Sequence, residues 1–143
     1  MYTSIDLKFA AGAKSAEALL LDLSRYELNV QPKRKVNSRN LYDLSGVARC
    51  YLLHALQQQN VPTSHVSDMF GRIDQTALDD AVTRFEDGLL DKLLVVFLSF
   101  TPDESFTGIV LDPAELPEIL LTFGHFLVVD LTDFLTAKLR GDV

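Results

Sequence analysis

The chain has 143 residues, one cysteine, no tryptophan and a formal charge of −7. With 48% hydrophobic and 23% charged residues it has the composition of a folded protein, which excludes wholesale disorder and favours one or two small domains. Cys50 alone excludes an internal disulfide framework and a cysteine-rich zinc site, and the longest apolar run, Leu93 to Leu98, is too short to span a bilayer.

In chain order, Thr3 or Ser4 can cap a short helix over Ile5–Ala11, ended by Gly12. Ser15 precedes a second helix whose residues 16, 19, 20 and 23 have the spacing of one apolar face. Pro32 closes off any helix before Gln31. Asn37-Ser38 reads as a turn, with Val36 and Leu41 anchoring two flanking strands. A longer helix runs from about Leu44 to Gln59 with Leu44, Val47, Leu52 and Leu56 on one face, and Asn60 serves as its left-handed end residue. Thr63 or Ser64 caps a short helix over His65–Phe70, and an amphipathic helix follows over Asp74–Gly88.

The pattern then changes. Leu93 to Phe100 is a buried strand, Pro102 to Ser105 a turn and Thr107–Leu111 a second strand. Pro113 opens a helix reaching Phe123, with Gly124 after it; Phe126–Val129 is a third strand, and Asp130 or Thr132 caps a last helix to Leu139. The expected class is α+β. Its domains are residues 1–72 and 73–143, the second reading β-β-α-β-α, with the hinge near Gly71 to Gln75.

Charge divides at the same place. Residues 1–72 hold nine Lys/Arg and six Asp/Glu, a net of +3, and residues 73–143 hold four and fourteen, a net of −10. Lys33-Arg34-Lys35-Val36-Asn37-Ser38-Arg39 has four cations and no anion. A hairpin carrying cations on both arms suits a phosphate backbone; the alternative is a solvated basic loop. The acidic run Asp79-Asp80, Glu86-Asp87, Asp91 reads first as a solvated helix face.

Pro32-Lys33-Arg34, Arg39-Asn40-Leu41-Tyr42, the spaced Val47, Leu52 and Leu56, Asn60-Val61 and Val66 resemble the MerR-type winged helix-turn-helix family. The resemblance is best over residues 32–70. Over 2–31 it rests on Tyr2-Thr3-Ser4-Ile5, on Ala10-Ala11-Gly12-Ala13 and on Arg25-Tyr26-Glu27. Asn60 stands where the family has Gly. Gly12 and Arg25 lie farther apart than in the family pattern, and Glu27 and Pro32 closer together.

The resemblance implies a homodimeric, sequence-specific DNA-binding transcriptional regulator of bacterial or phage type, with its second helix in the major groove and its wing on phosphates. On that reading Lys33, Arg34, Lys35, Asn37 and Arg39 contact the backbone. Arg25 reads a base or phosphate, or pairs with Asp22 or Glu27 on its own helix. Lys14 and Ser15 stand at the start of the recognition helix, where Ser15 is equally a plain cap. Tyr26 is a further backbone contact. Leu78, Val82, Phe85 and Leu89 are the candidate dimer seam.

The other side chains point to no chemistry. His54, His65 and His125 have no zinc-ligand spacing, and Cys50 reads as a buried inert thiol. No G-x-S-x-G, H-E-x-x-H, Walker or Rossmann pattern occurs, so neither an enzyme nor a cofactor is expected. Expected partners are duplex DNA and a second copy, with a protein partner or small effector at the C-terminal half and no membrane. Asp6, Lys8, Lys14 and Glu17 break up the N-terminus, so a cytoplasmic location is expected. The alternative function is a protein-interaction adaptor or anti-regulator on a winged-helix shell.

Overall fold

The computed structural model describes residues 1–99, 107–122 and 125–141. It is a mixed α+β chain that divides into two compact units, Met1–Gly71 and Arg72–Val143.

In the first unit, α1 (Ser4–Ala11) begins where the Thr3 backbone N–H donates to the Asp6 carboxylate at 2.8 Å. It ends at Gly12, whose φ of 63° is the left-handed turn expected there. Helix α2 (Ala16–Arg25) is capped by Ser15, whose Oγ accepts from the Ala18 N–H at 3.1 Å. Strands β1 (Arg34–Val36) and β2 (Arg39–Leu41) pair antiparallel, Val36 opposite Arg39. Asn37 and Ser38 both take positive φ, 50° and 66°, as a two-residue hairpin turn of the tight, strand-matching type requires. Tyr2 forms an isolated antiparallel bridge with Tyr42 through two 2.8 Å bonds, which ties the start of α1 to the foot of the hairpin.

Helix α3 (Leu44–Gln58) starts at Asp43, whose carboxylate accepts from the Gly46 N–H at 3.0 Å. It ends with Asn60 at φ 59° and the Val61 N–H donating to the Leu56 carbonyl, as expected of an Asn closing a helix. Helix α1 lies against α3. The core gathers Leu7, Leu19, Leu28, Leu52, Leu53 and Leu56, with Met69 and Phe70 from α4 (Thr63–Gly71). That helix starts two residues earlier than its expected beginning at His65.

Helix α2 differs from its expected apolar face. Leu19 is buried and Leu23 half-buried, but Ala16, Leu20 and Leu21 are exposed. Three consecutive leucines span about 200° of a helix, wider than one packed face, so some must point outward. Helix α3 shows the converse. Every residue from Leu44 to Cys50 is buried, Arg49 included, and an Arg49 guanidinium nitrogen donates to the Ser45 carbonyl at 3.4 Å.

The second unit opens with α5 (Gln75–Glu86), capped by the Asp74 carboxylate on the Ala77 N–H at 3.0 Å. Strands β3 (Leu94–Ser99), β4 (Thr107–Leu111) and β5 (His125–Asp130) form an antiparallel sheet in the order β4-β3-β5. Leu94 to Leu98 are all buried, so the central strand is covered on both faces, as its unbroken apolar run predicts. On one face Val96 and Leu98 pack with Leu116 and Ile119 of α6 (Leu116–Thr122) and with Val128.

The helix expected from Pro113 is instead a 3₁₀ turn, Pro113–Glu115, followed by α6. Helix α7 (Thr132–Arg140) is tied to β3 by the Leu93 N–H donating to the Thr132 hydroxyl at 3.1 Å. The order is β-β-α-β-α as expected. Phe100, the turn expected at Pro102 to Ser105, and Phe123 and Gly124 lie outside the described residues.

Candidate nucleic-acid interface

The β1–β2 hairpin carries the cationic stretch into solvent: every residue from Gln31 to Asn40 is exposed. The register puts Arg34 and Arg39 on one face of the ribbon and Lys35 with Asn40 on the other, so positive charge is offered on both sides. Lys33 is the member with an acidic partner, its Nζ 3.7 Å from an Asp43 carboxylate oxygen. Such an exposed pair contributes on the order of 0–1 kcal/mol and leaves Lys33 available to a stronger anion. Arg34, Lys35 and Arg39 form no ion pair among the described residues. Asn37 sits in the turn, where its short side chain suits the positive φ.

The remaining predicted contacts are dispersed. Lys14 is exposed at the turn before α2, and Arg25 is exposed at the far end of that helix, about 15 Å away by helical rise. The Ser15 hydroxyl is engaged as the cap. Tyr26 is only 6% exposed and belongs to the core, so little of its ring is left for a backbone contact. Directly after it Glu27 takes φ 52°, and Leu28 is again fully buried.

The candidate dimer seam is largely consumed within the single chain. Leu78, Val82 and Phe85 are 0%, 1% and 8% exposed without a second subunit, while Leu89 remains 68% exposed.

One feature was invisible to charge and motif reasoning. A cleft of about 460 Å³ lies between α1, α2 and the hairpin, lined by Ile5, Leu7, Leu20, Leu23, Arg39 and Tyr42 among others. Ile5 and Leu20 stand 61% and 60% exposed at its mouth, and Arg39 is its one charged lining residue. The run Leu19-Leu20-Leu21 is the sequence signal that could have revealed it.

Cys50 is fully buried and its thiol is pushed from the ordinary 9.0 up to about 12 by loss of solvent, against a smaller opposing pull from Arg49. His54 lies beside Gly12, His65 is exposed on α4 and His125 begins β5. Among the described residues, no group of three His, Cys, Asp or Glu could hold a metal ion, and no helix is long and apolar enough to cross a membrane. In the second unit a depression of about 380 Å³ is lined by Asp80, Arg84, Asp112 and Glu115 with apolar neighbours, a net-negative surface. Compared with known proteins, the chain matches no family model and no curated sequence.

Proposed function

We propose that residues 1–71 form a winged helix-turn-helix and that the chain is a DNA-binding transcriptional regulator acting as a homodimer in the cytoplasm. The observation that carries this reading is the exposed hairpin with Lys33, Arg34, Lys35 and Arg39, standing beside the amino-terminal half of α2 across one cleft. On this reading α2 lies at the major groove and the hairpin grips flanking phosphates. The outward face of α2 carries Glu17, Leu20, Leu21, Ser24 and Arg25, and of these Arg25 is the strong donor to a guanine edge or a phosphate. Specificity then rests on Arg25 together with phosphate register and the energy of deforming particular DNA sequences. The dimer contact lies outside the buried part of α5.

Selection from a library of genomic and random duplexes tests this, with the wild-type chain beside a Lys33→Glu/Arg34→Glu/Lys35→Glu variant. The expected result is an enriched inverted repeat that the variant no longer selects. Absence of binding even at low salt overturns the proposal. A second reading, a protein-interaction module on the same shell, draws its support from the exposure of Leu20 and Leu21, 60% and 64%.

A further inference from the structure

We propose that the α1–α2–hairpin cleft is a docking site for an acidic amphipathic helical segment of a partner protein. Two independent features of the cleft specify that occupant. The two helices give it an apolar wall, Ile5, Leu7, Leu20 and Leu23, with Ile5 and Leu20 each more than half exposed, while Thr3, Ser4, Ser38 and Asn40 line its polar margin. Large apolar side chains grouped around a concavity are a feature of binding surfaces, whereas single scattered ones are not.

Its charge is one-sided. Arg39 is the one charged lining residue, and Arg34 and Lys35 stand on the adjoining arm of the hairpin with no acidic partner among the described residues. The nearest carboxylates along α2 are Glu17, which is exposed, and Asp22, which is half-buried, and neither lines the cleft. An apolar concavity under a cationic rim is complementary to a helix with apolar residues at i, i+3 and i+4 and carboxylates along the flank. Nucleic acid matches the cationic and polar margin but leaves the wall of Ile5, Leu7, Leu20 and Leu23 unused, because those side chains give base edges no hydrogen-bond partner. The volume, about 460 Å³, suits insertion of side chains rather than flat apposition. A segment seated here covers Arg39, so it competes with any polyanion that the hairpin holds. This inference goes beyond the DNA reading and does not require it.

The test is selection of displayed random peptides, roughly four helical turns long, on the full-length protein, followed by fluorescence anisotropy of the enriched peptides. The expected peptides are acidic with helical apolar spacing. Leu20→Ser and Arg39→Glu should each weaken them at least about tenfold, while Leu121→Ser, an exposed leucine on α6, should not. Leu20 and Arg39 are surface residues, and matching tyrosine-fluorescence denaturation curves show that the variants stay folded.

Several results overturn the proposal. One is that no peptide is enriched, or that basic or uncharged peptides are. Another is acidic peptides whose binding survives Leu20→Ser, which would leave charge alone responsible. Concentration-dependent self-association lost in Leu20→Ser assigns the cleft to a second copy. A tenfold loss of duplex affinity in Leu20→Ser without peptide binding assigns it to DNA.

Discussion

Gly12→Ala is the sharpest test of how α2 is positioned. Gly12 has φ +63°, and a Cβ built on it would lie 2.5 Å from Nδ1 and 2.8 Å from Cε1 of His54. Two costs follow. Holding a residue with a Cβ in the left-handed region costs roughly 1–2 kcal/mol. Forcing the His54 ring aside costs roughly 1–3 kcal/mol, the range for overpacking. The stiffer unfolded chain of alanine offsets roughly 0.4–1 kcal/mol of this. The expected net loss is therefore about 1–4.5 kcal/mol.

The sequence itself supplies the assay. The chain has no tryptophan, and all four tyrosines, at 2, 26, 42 and 51, lie in the first unit. Tyrosine fluorescence during urea denaturation therefore follows that unit alone. Adding His54→Ala should recover the steric part and leave about 1 kcal/mol of backbone strain, so the two substitutions should couple by about 1–3 kcal/mol in a double-mutant cycle. A Gly12→Ala loss smaller than about 0.5 kcal/mol, or full additivity with His54→Ala, refutes the close packing of the α1–α2 turn on α3.

Further expectations concern charge, capping, core and thiol. If Arg34, Lys35 and Arg39 each neutralise one phosphate, replacing all three with Gln flattens the log affinity against log salt slope by about 2.7 per copy. Between about 50 and 200 mM salt those three contacts amount to about a 40-fold loss for the wild type, measurable by anisotropy on a labelled duplex; an unchanged slope in the variant contradicts the hairpin's role. Asp43→Ala removes the carboxylate that accepts from the Gly46 N–H and should destabilise the first unit by about 0.5–2 kcal/mol in the tyrosine assay, with no loss counting against the cap.

Leu78→Ala should lower stability by about 2–5 kcal/mol at every protein concentration, since Leu78 is buried within one chain; a loss that vanishes on dilution would return it to a dimer seam. Cys50 should resist iodoacetamide until the fold opens. Because burial raises its pKa in the folded state, its contribution to stability is intact below the unfolded value. That contribution is lost as pH climbs from 9.0 towards about 12, and denaturation midpoints across alkaline pH should fall relative to Cys50→Ala.

The local elements of this protein were legible in its sequence because each depends on chemistry within a few residues. Ser15, expected as a cap for α2, accepts the Ala18 N–H, and Asp43 and Asp74, each one residue before a helix, cap α3 and α5 by the same local bond. Asn37-Ser38 and Asn60 tolerate positive φ at the places where the chain must turn. The change from helical spacing to an unbroken apolar run after Leu93 marks the β-β-α-β-α half for the same reason.

What local patterns could not assign was the direction in which an apolar side chain faces. Leu20 and Leu21 sit in the same run as Leu19, yet only Leu19 is buried, because the packing of the first unit leaves room for one edge of α2. Tyr26 looks like a contact residue in sequence and is a core residue in space. The stripe at Leu78, Val82 and Phe85 asked for a partner, and the chain itself supplied the cover. Caps, turns and strand runs are governed by near neighbours, whereas burial depends on residues distant in sequence. The sequence therefore determined where the elements and the cationic hairpin lie. Only the tertiary structure decided that the hairpin borders an apolar cleft, because the cleft's walls come from residues more than thirty positions apart.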